Sequence, residues 1–268
     1  MGIADVGIAD VGIEASVAAL ARISTDRPSD RQVPAPRLVV TLGLYGSAST
    51  WLFNVVRETL NAAHGAERVC AYYADAITLI LQDGAIPGRF VVVKMHVGDA
   101  SLAGFVHLAQ PLLLLSVRDP RDAVVSLMQR FGQDFEKAAS RVVQSARRIL
   151  FFAAAGHPVL RYEDDFFTRP ETLDAIAARL GVTLRDEIKA AIFAGYQTAS
   201  VRKFAADVAH LPPGRLDGSP ADLFDRVTHI HRNHIGDGMI GKWKERLSAP
   251  ESAALTETLG DFITTFGY

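Results

Sequence analysis

Apolar residues fall in short unbroken runs, separated by longer stretches in which they recur every three or four positions. Residues 37–42, 90–95, 111–117 and 159–162 form such runs. They are β-branched or Leu-rich and do not alternate with polar residues, as parallel strands covered on both faces require. Helical periodicity follows near 50–63, 120–131, 135–155, 170–180, 185–194 and 250–266. Residues 195–244, with Pro212-Pro213-Gly214 and further glycines, read as loop-rich. Strand–helix alternation predicts an α/β fold, three layers (α/β/α) around a central parallel sheet.

The first residues do not join this pattern. Gly2-Ile3-Ala4-Asp5-Val6 is repeated from Gly7 to Val11, and residues 25–36 hold Pro28, Pro34 and Pro36. A short helix fits 13–23, with Ile13, Val17 and Leu20 on one face. The expected organisation is a flexible leader over 1–36 and one domain over 37–268. No apolar run approaches the roughly 18–20 residues of a membrane span. Asp5, Asp10 and Glu14 interrupt any signal peptide, and Val6 stands where a myristoylation signal needs Ser or Thr. A cytoplasmic address is expected. The lone cysteine, Cys70, excludes an intrachain disulfide. With 28 basic and 30 acidic residues the net charge is −2. No global basic field draws in nucleic acid, so an anionic ligand needs a local site.

Three segments carry candidate chemistry. Leu44-Tyr45-Gly46-Ser47-Ala48-Ser49-Thr50-Trp51 joins the first strand to its helix. Its small residues let amides turn inward, the helix start adds unpaired N–H groups, and Ser47, Ser49 and Thr50 add hydroxyls. Phosphate or sulfate suits such a turn; an ordinary small-residue connection has the same composition. Gly241-Lys242 is followed by Trp243, so no Gly-Lys-Ser/Thr loop exists to set a hydroxyl on Mg²⁺, and no metal is expected. Lys94 and His96 end the second strand on the same side. They suit proton abstraction beside an anionic leaving group, although a lone histidine is more often structural. Arg118 ends the third strand, where open α/β sheets bind ligands. Asp119 and Pro120 then cap and start a helix that carries Ser126.

Together these segments resemble the sulfotransferases that use PAPS (3′-phosphoadenosine 5′-phosphosulfate). Gly46-Ser47-Ala48-Ser49-Thr50-Trp51 is similar to the family's Lys-Ser-Gly-Thr-Thr-Trp phosphosulfate loop, and Lys94-Met95-His96 to its Lys-Thr-His. Arg118 and Ser126, around Asp119-Pro120-Arg121-Asp122, resemble its 3′-phosphate site at the same spacing. Arg161-Tyr162-Glu163-Asp164 is similar to a strand end whose tyrosine faces adenine, and Gly238-Met239-Ile240-Gly241-Lys242-Trp243-Lys244 to a late Gly-x-x-Gly-x-Trp-Lys segment. The resemblance covers about residues 37–247. It implies the P-loop-like sulfotransferase fold and sulfuryl transfer to an acceptor hydroxyl, or an amine, with His96 as base. The donor would leave as adenosine 3′,5′-bisphosphate (PAP), and the acceptor would be a small molecule, a carbohydrate or a lipid headgroup. An oligomer is left open.

Two departures matter. Gly46 replaces a lysine or arginine, and Gly236 and Asp237 replace an Arg-Lys pair. Lys94 is expected to supply the charge missing at Gly46, and Arg232, Lys242, Arg202 and Lys203 are candidates for the missing pair. These losses also motivate the alternative of a non-catalytic nucleotide-binding or scaffold protein. A P-loop small-molecule kinase is a further alternative, but it would need the lysine that the loop lacks. Acceptor contacts are expected from 70–88, 98–110 and 195–237.

Overall fold

The computed structural model describes residues 37–82, 90–220, 222–233 and 235–268. The expected leader over 1–36 lies outside the described residues. Strand β1 (Arg37–Gly43) leads to helix α1 (Ser49–His64), edge strand β2 (Val69–Tyr73), α2 (Ile77–Gln82) and β3 (Phe90–Met95). Then come α3 (Ala100–Ala109), β4 (Leu112–Val117), α4 (Pro120–Phe131), α5 (Phe135–Ala153) and β5 (Val159–Arg161). Helices α6 (Pro170–Leu180), α7 (Asp186–Gly195) and α8 (Thr198–Asp207) precede a small hairpin of β6 (Leu216–Asp217) and β7 (Phe224–Asp225). The chain finishes with α9 (Trp243–Arg246), α10 (Ala249–Thr258) and α11 (Gly260–Phe266).

The main sheet has the order β2-β3-β1-β4-β5 and is a parallel sheet flanked by helices, the α/β architecture expected from the sequence. β1 is central because Val39, Val40 and Leu42 are buried, as are Leu113, Leu114 and Leu115 of β4 beside it. The chain leaves β1 towards β2 and β3 on one side and returns to β4 and β5 on the other. That reversal opens a crevice at the carboxyl ends of β1, β3 and β4. Gly43 is in register with Ser116, and Tyr73 with Lys94, so the strand ends there are level.

Helix α1 is buried almost all round. Trp51, Leu52, Phe53, Val55, Val56 and Leu60 share one core with Leu173, Ile176 and Leu180 of α6. Each such side chain contributes roughly 1.5–3 kcal/mol by leaving water, so the helix that starts at the crevice is held firmly. Among the described residues no helix is long and apolar enough to cross a membrane.

Several elements depart from the sequence reading. β2 was not foreseen; it is five residues long, half-buried throughout and paired only with β3. α3 and α8 occupy stretches read as variable or loop-rich, and the last helix is broken at Leu259–Gly260 rather than running over 250–266. β5 stops at Arg161, so Tyr162 opens a 3₁₀ turn, Tyr162–Asp164, instead of ending the strand.

The turn into α1 forces Ala48 into the left-handed region at φ 57°. A Cβ there costs about 1–2 kcal/mol, partly offset because glycine frees the unfolded chain. Ala48→Gly is expected to raise stability by about 0.5 kcal/mol in urea unfolding, whereas Ala139→Gly within α5 lowers it by about 1 kcal/mol.

Candidate functional site

A cleft of about 930 Å³ opens at the carboxyl ends of the strands. Gly46, Ala48, Ser49, Thr50, Trp51, Lys94, His96, Arg118, Ser126, Tyr162, Gly238 and Lys242 all line it. Ser47 and Gly241 do not. The Ser47 hydroxyl donates to the Leu44 carbonyl at 2.6 Å and lies 2.9 Å from the Ser116 hydroxyl. Its amide also donates to Leu44, so Ser47, expected as a ligand donor, has its hydroxyl and amide engaged in locking the turn to β4. No side chain caps α1, which leaves the N–H groups of its first turn to the cleft. Gly46 sits at φ 72°, and a Cβ built on it would meet the Ser126 hydroxyl at 3.2 Å and Arg118 at 3.8 Å. The left-handed backbone favours glycine at this point, and any side chain would press on Ser126 by a few tenths of an ångström.

His96 is fixed on three sides. Its Nδ1 lies 2.6 Å from the Gly43 carbonyl, which can only accept, so Nδ1 carries the proton and Nε2 keeps a lone pair. The ring stacks on Tyr45 with centroids 4.3 Å apart, and the backbone carbonyl accepts from Ser145 at 2.7 Å. Burial and the nearby Lys94 hold the imidazole well below the ordinary histidine range, so it is neutral. Asp75, which the sequence reading did not single out, organises this turn. Its carboxylate accepts from the amides of His96 (2.9 Å), Val97 (3.0 Å) and Gly98 (3.2 Å), and from the Tyr73 hydroxyl. Burial alone would raise its pKa; those donors and the His96 ring outweigh it and keep the group ionised. Lys94 is pushed down to about 7 by burial and by Arg130, against the pull of Asp75. Its Nζ lies 5.6 Å from the Tyr73 ring centroid.

Arg118 is almost fully buried. It donates to the carbonyls of Gly46 (3.3 Å) and Met239 and stands 4.3 Å from the Tyr162 ring centroid. Tyr162 stacks on Phe167 and donates to the Gly238 carbonyl at 3.2 Å. Trp51 serves two purposes: it packs edge-on against Phe166 in the core and lines the cleft. Two buried donors here, Trp51 Nε1 and Arg118 Nε, have no hydrogen-bond partner. Ser200 bonds the Ala194 carbonyl at 2.7 Å and does not line the cleft, which its neighbour Val201 does.

The late segment is clamped to the start of α4. Asp122, fully buried, accepts from the amides of Gly241 (2.6 Å) and Trp243 (2.9 Å). Asp119 accepts from Trp243 Nε1 at 3.1 Å and from Arg121, whose guanidinium lies 4.0 Å from the Trp243 ring centroid. Glu163 bonds the Asp119 amide at 2.9 Å. Asp119 is thus the expected N-cap and also an anchor. Of the candidate replacement cations, Lys242 is held by Asp237 (3.1 Å) and Gln129 (2.9 Å). Arg202 and Arg232 line the cleft, and Lys203 does not.

Sequence reasoning missed one whole wall. Arg130 and Phe131 at the end of α4, Gln133 just after it, and Arg141 of α5 line the cleft together with His229 and His231, and the Phe131 and His231 ring centroids are 6.3 Å apart. Arg130 lies one turn beyond Ser126, a helical spacing that was legible. Segment 98–110 forms α3 and does not line the cleft; within 70–88, Tyr73 does. His229 and His231 are pushed down to about 3 and about 4, chiefly by burial, so both are neutral. Among the described residues no group of three His, Cys, Asp or Glu is placed to hold a metal.

Asp122→Ala removes the acceptor of two backbone amides and the nearest acid to Arg118, 3.6 Å away. It is expected to cost about 1–3 kcal/mol in denaturant unfolding. The emission of Trp243, one of two tryptophans, should shift to the red as its segment loosens.

No protein-family model matches the chain, and no curated protein matches it by sequence. Solved structures do. Mouse sulfotransferase SULT7A1 complexed with PAP aligns over 86% of this chain and 86% of its own, with TM-score 0.60 and 14% identity. Retinol dehydratase in complex with androsterone and the inactive cofactor PAP aligns over 87% and 82%, with TM-score 0.58 and 16% identity. Retinol dehydratase with retinol and PAP gives TM-score 0.53 at 13% identity, again over 87% and 82%. The resemblance read from the motifs therefore extends to the backbone: this chain has the fold of the PAP-binding sulfotransferases.

Proposed function

We propose that the chain is a PAPS-dependent sulfotransferase and that residues 37–268 form its catalytic domain. One observation carries the reading: Arg118 and Ser126 close on the Gly46 turn in the same cleft as a histidine whose tautomer leaves the Nε2 lone pair free. The residues fit the donor. The uncapped start of α1, with Ser49 and Thr50, would take the 5′-phosphosulfate, and Arg118 and Ser126 the 3′-phosphate. Trp51, Tyr162 and Phe167 offer aromatic surface for adenine, and the partnerless Trp51 Nε1 and Arg118 Nε are donors in want of an acceptor. Gly238 and Lys242 border the same end. Bound PAPS would supply an activated sulfuryl group on a good leaving group.

His96 Nε2 takes the acceptor proton as the acceptor oxygen bonds to sulfur and the sulfur–oxygen bond to phosphate breaks, releasing adenosine 3′,5′-bisphosphate. Lys94 meets the charge that develops at the bridging oxygen, where Gly46 has no side chain to do so. Asp75 positions His96 by holding the three amides around it. The cytoplasmic setting expected from the sequence remains part of this proposal.

His96→Ala is expected to lower kcat for sulfate transfer from labelled PAPS by roughly 10²–10⁴ while leaving PAP affinity intact. Near-normal turnover in that variant would remove the assigned base. A wild-type protein that binds PAP but transfers nothing to any acceptor would favour the scaffold alternative. Arg118→Ala should weaken PAP binding about 10- to 100-fold, the loss of a charged hydrogen-bond pair.

Lys94 gives a pH signature. Its ammonium is charged below about pH 7 and neutral above it, so it draws an anion only on the acid side. PAP affinity measured by calorimetry should fall about tenfold from pH 7 to 9. Lys94→Gln should flatten the profile, and a flat wild-type profile would remove Lys94 from the donor site.

A further inference from the structure

The wall that the sequence did not foreshadow has no task in the donor reading. The Arg141 guanidinium lies 4.7 Å from the Tyr45 ring centroid and 5.9 Å from that of Phe131. The Arg130 guanidinium lies 4.7 Å from the same Phe131 ring. Tyr45 in turn stacks on His96. Two guanidiniums therefore share one aromatic ring, and Arg141 reaches the side of His96 through another, with Lys94 in the same field.

Asp222 is the acid that pulls most on Arg130, and it also accepts from the neutral His231 ring at 2.6 Å. The Arg141 guanidinium donates to the Tyr45 hydroxyl at 3.4 Å, a neutral partner. The cations that line the cleft with them, Lys94, Arg202 and Arg232, outnumber the acids Asp222 and Asp237 on the same lining. Burial and Arg141 together push Arg130 down to about 10. Like charges gathered in a half-dry cleft disfavour one another. An apolar acceptor would deepen that penalty by excluding more water. An acceptor with its own negative charge would remove it and would be steered towards the base.

We propose that the acceptor is anionic: an alcohol or phenol bearing a carboxylate, or a sulfate or phosphate ester, which Arg130 and Arg141 hold while its hydroxyl meets His96. This inference rests on the sulfotransferase reading. The test uses the full chain saturated with PAP and titrated calorimetrically with matched probes. One pair is 4-hydroxybenzoate and 4-hydroxybenzamide; the other is 4-nitrophenyl β-glucuronide and the corresponding glucoside. A 4-nitrophenyl glucoside 6-sulfate arm separates ester from carboxylate. At least one charged probe should bind tenfold or more tightly than its neutral twin. Arg141→Gln and Arg130→Gln should each erase most of that preference, with PAP affinity within twofold of wild type. The wild-type comparison and the Arg141 variant keep the test valid should the Arg130 variant fail to fold. Absence of preference in every pair, or a preference that survives Arg141→Gln, overturns the proposal. Failure to bind PAP in the first titration instead overturns the donor reading on which it stands.

Discussion

The hydrogen bond from His96 Nδ1 to the Gly43 carbonyl joins the end of β3 to the end of β1, and the rest of the site is arranged about it. Gly43 leads directly into the Gly46 turn, so His96 and that turn are held to one another through a single backbone group. The bond also selects the tautomer, because a carbonyl admits only a proton on the facing nitrogen. Asp75 reinforces it from the far side by gathering the three amides after β3. The strand register supplies the common level at which these groups meet.

Acids and bases divide their work in this cleft. Asp75, Asp119, Asp122 and Asp225 all fasten loops to the scaffold. Asp225, fully buried, accepts from Arg215 (2.6 Å) and from the Thr228 hydroxyl (2.6 Å), which shapes the turn leading to His229. Asn54 of α1 ties the same turn down through the Thr228 carbonyl at 2.8 Å. With the carboxylates occupied in this way, the side chains of Lys94, Arg130, Arg141, Arg202 and Arg232 border the open volume. A chain of net charge −2 thereby presents a locally cationic cleft. The site is not short of positive charge, as Gly46 and Asp237 had suggested; the charge stands on other elements.

The sequence exposed what its local pattern controls. β1, β3 and β4 were readable because burial on both faces demands continuous apolar runs; Lys94, His96 and Arg118 were readable because they sit at the ends of those runs, and Ser126 because it lies within the capped helix that follows. β2 escaped because an edge strand that is only half-buried needs no such run. α8 escaped because only Val201 and Ala205 of its ten residues are buried, too weak a stripe to stand out. Asp75, Arg141 and His229 escaped for a different reason. Each meets the site through folding of a distant segment, and nothing in the neighbouring residues marks it. Ser47 carried the right chemistry in the right motif, yet its hydroxyl turned inward to Ser116, a partner 69 positions away.

The closeness of Ser126 to Gly46 has a consequence for how this site can change. A Cβ at position 46 would come within 3.2 Å of that hydroxyl, and the backbone there is left-handed. A lysine in that place would be strained, and Ser126 would have to give by a few tenths of an ångström to admit it. Positions 46 and 126 are therefore coupled: a larger residue at the first is best accommodated by a smaller one, such as alanine, at the second.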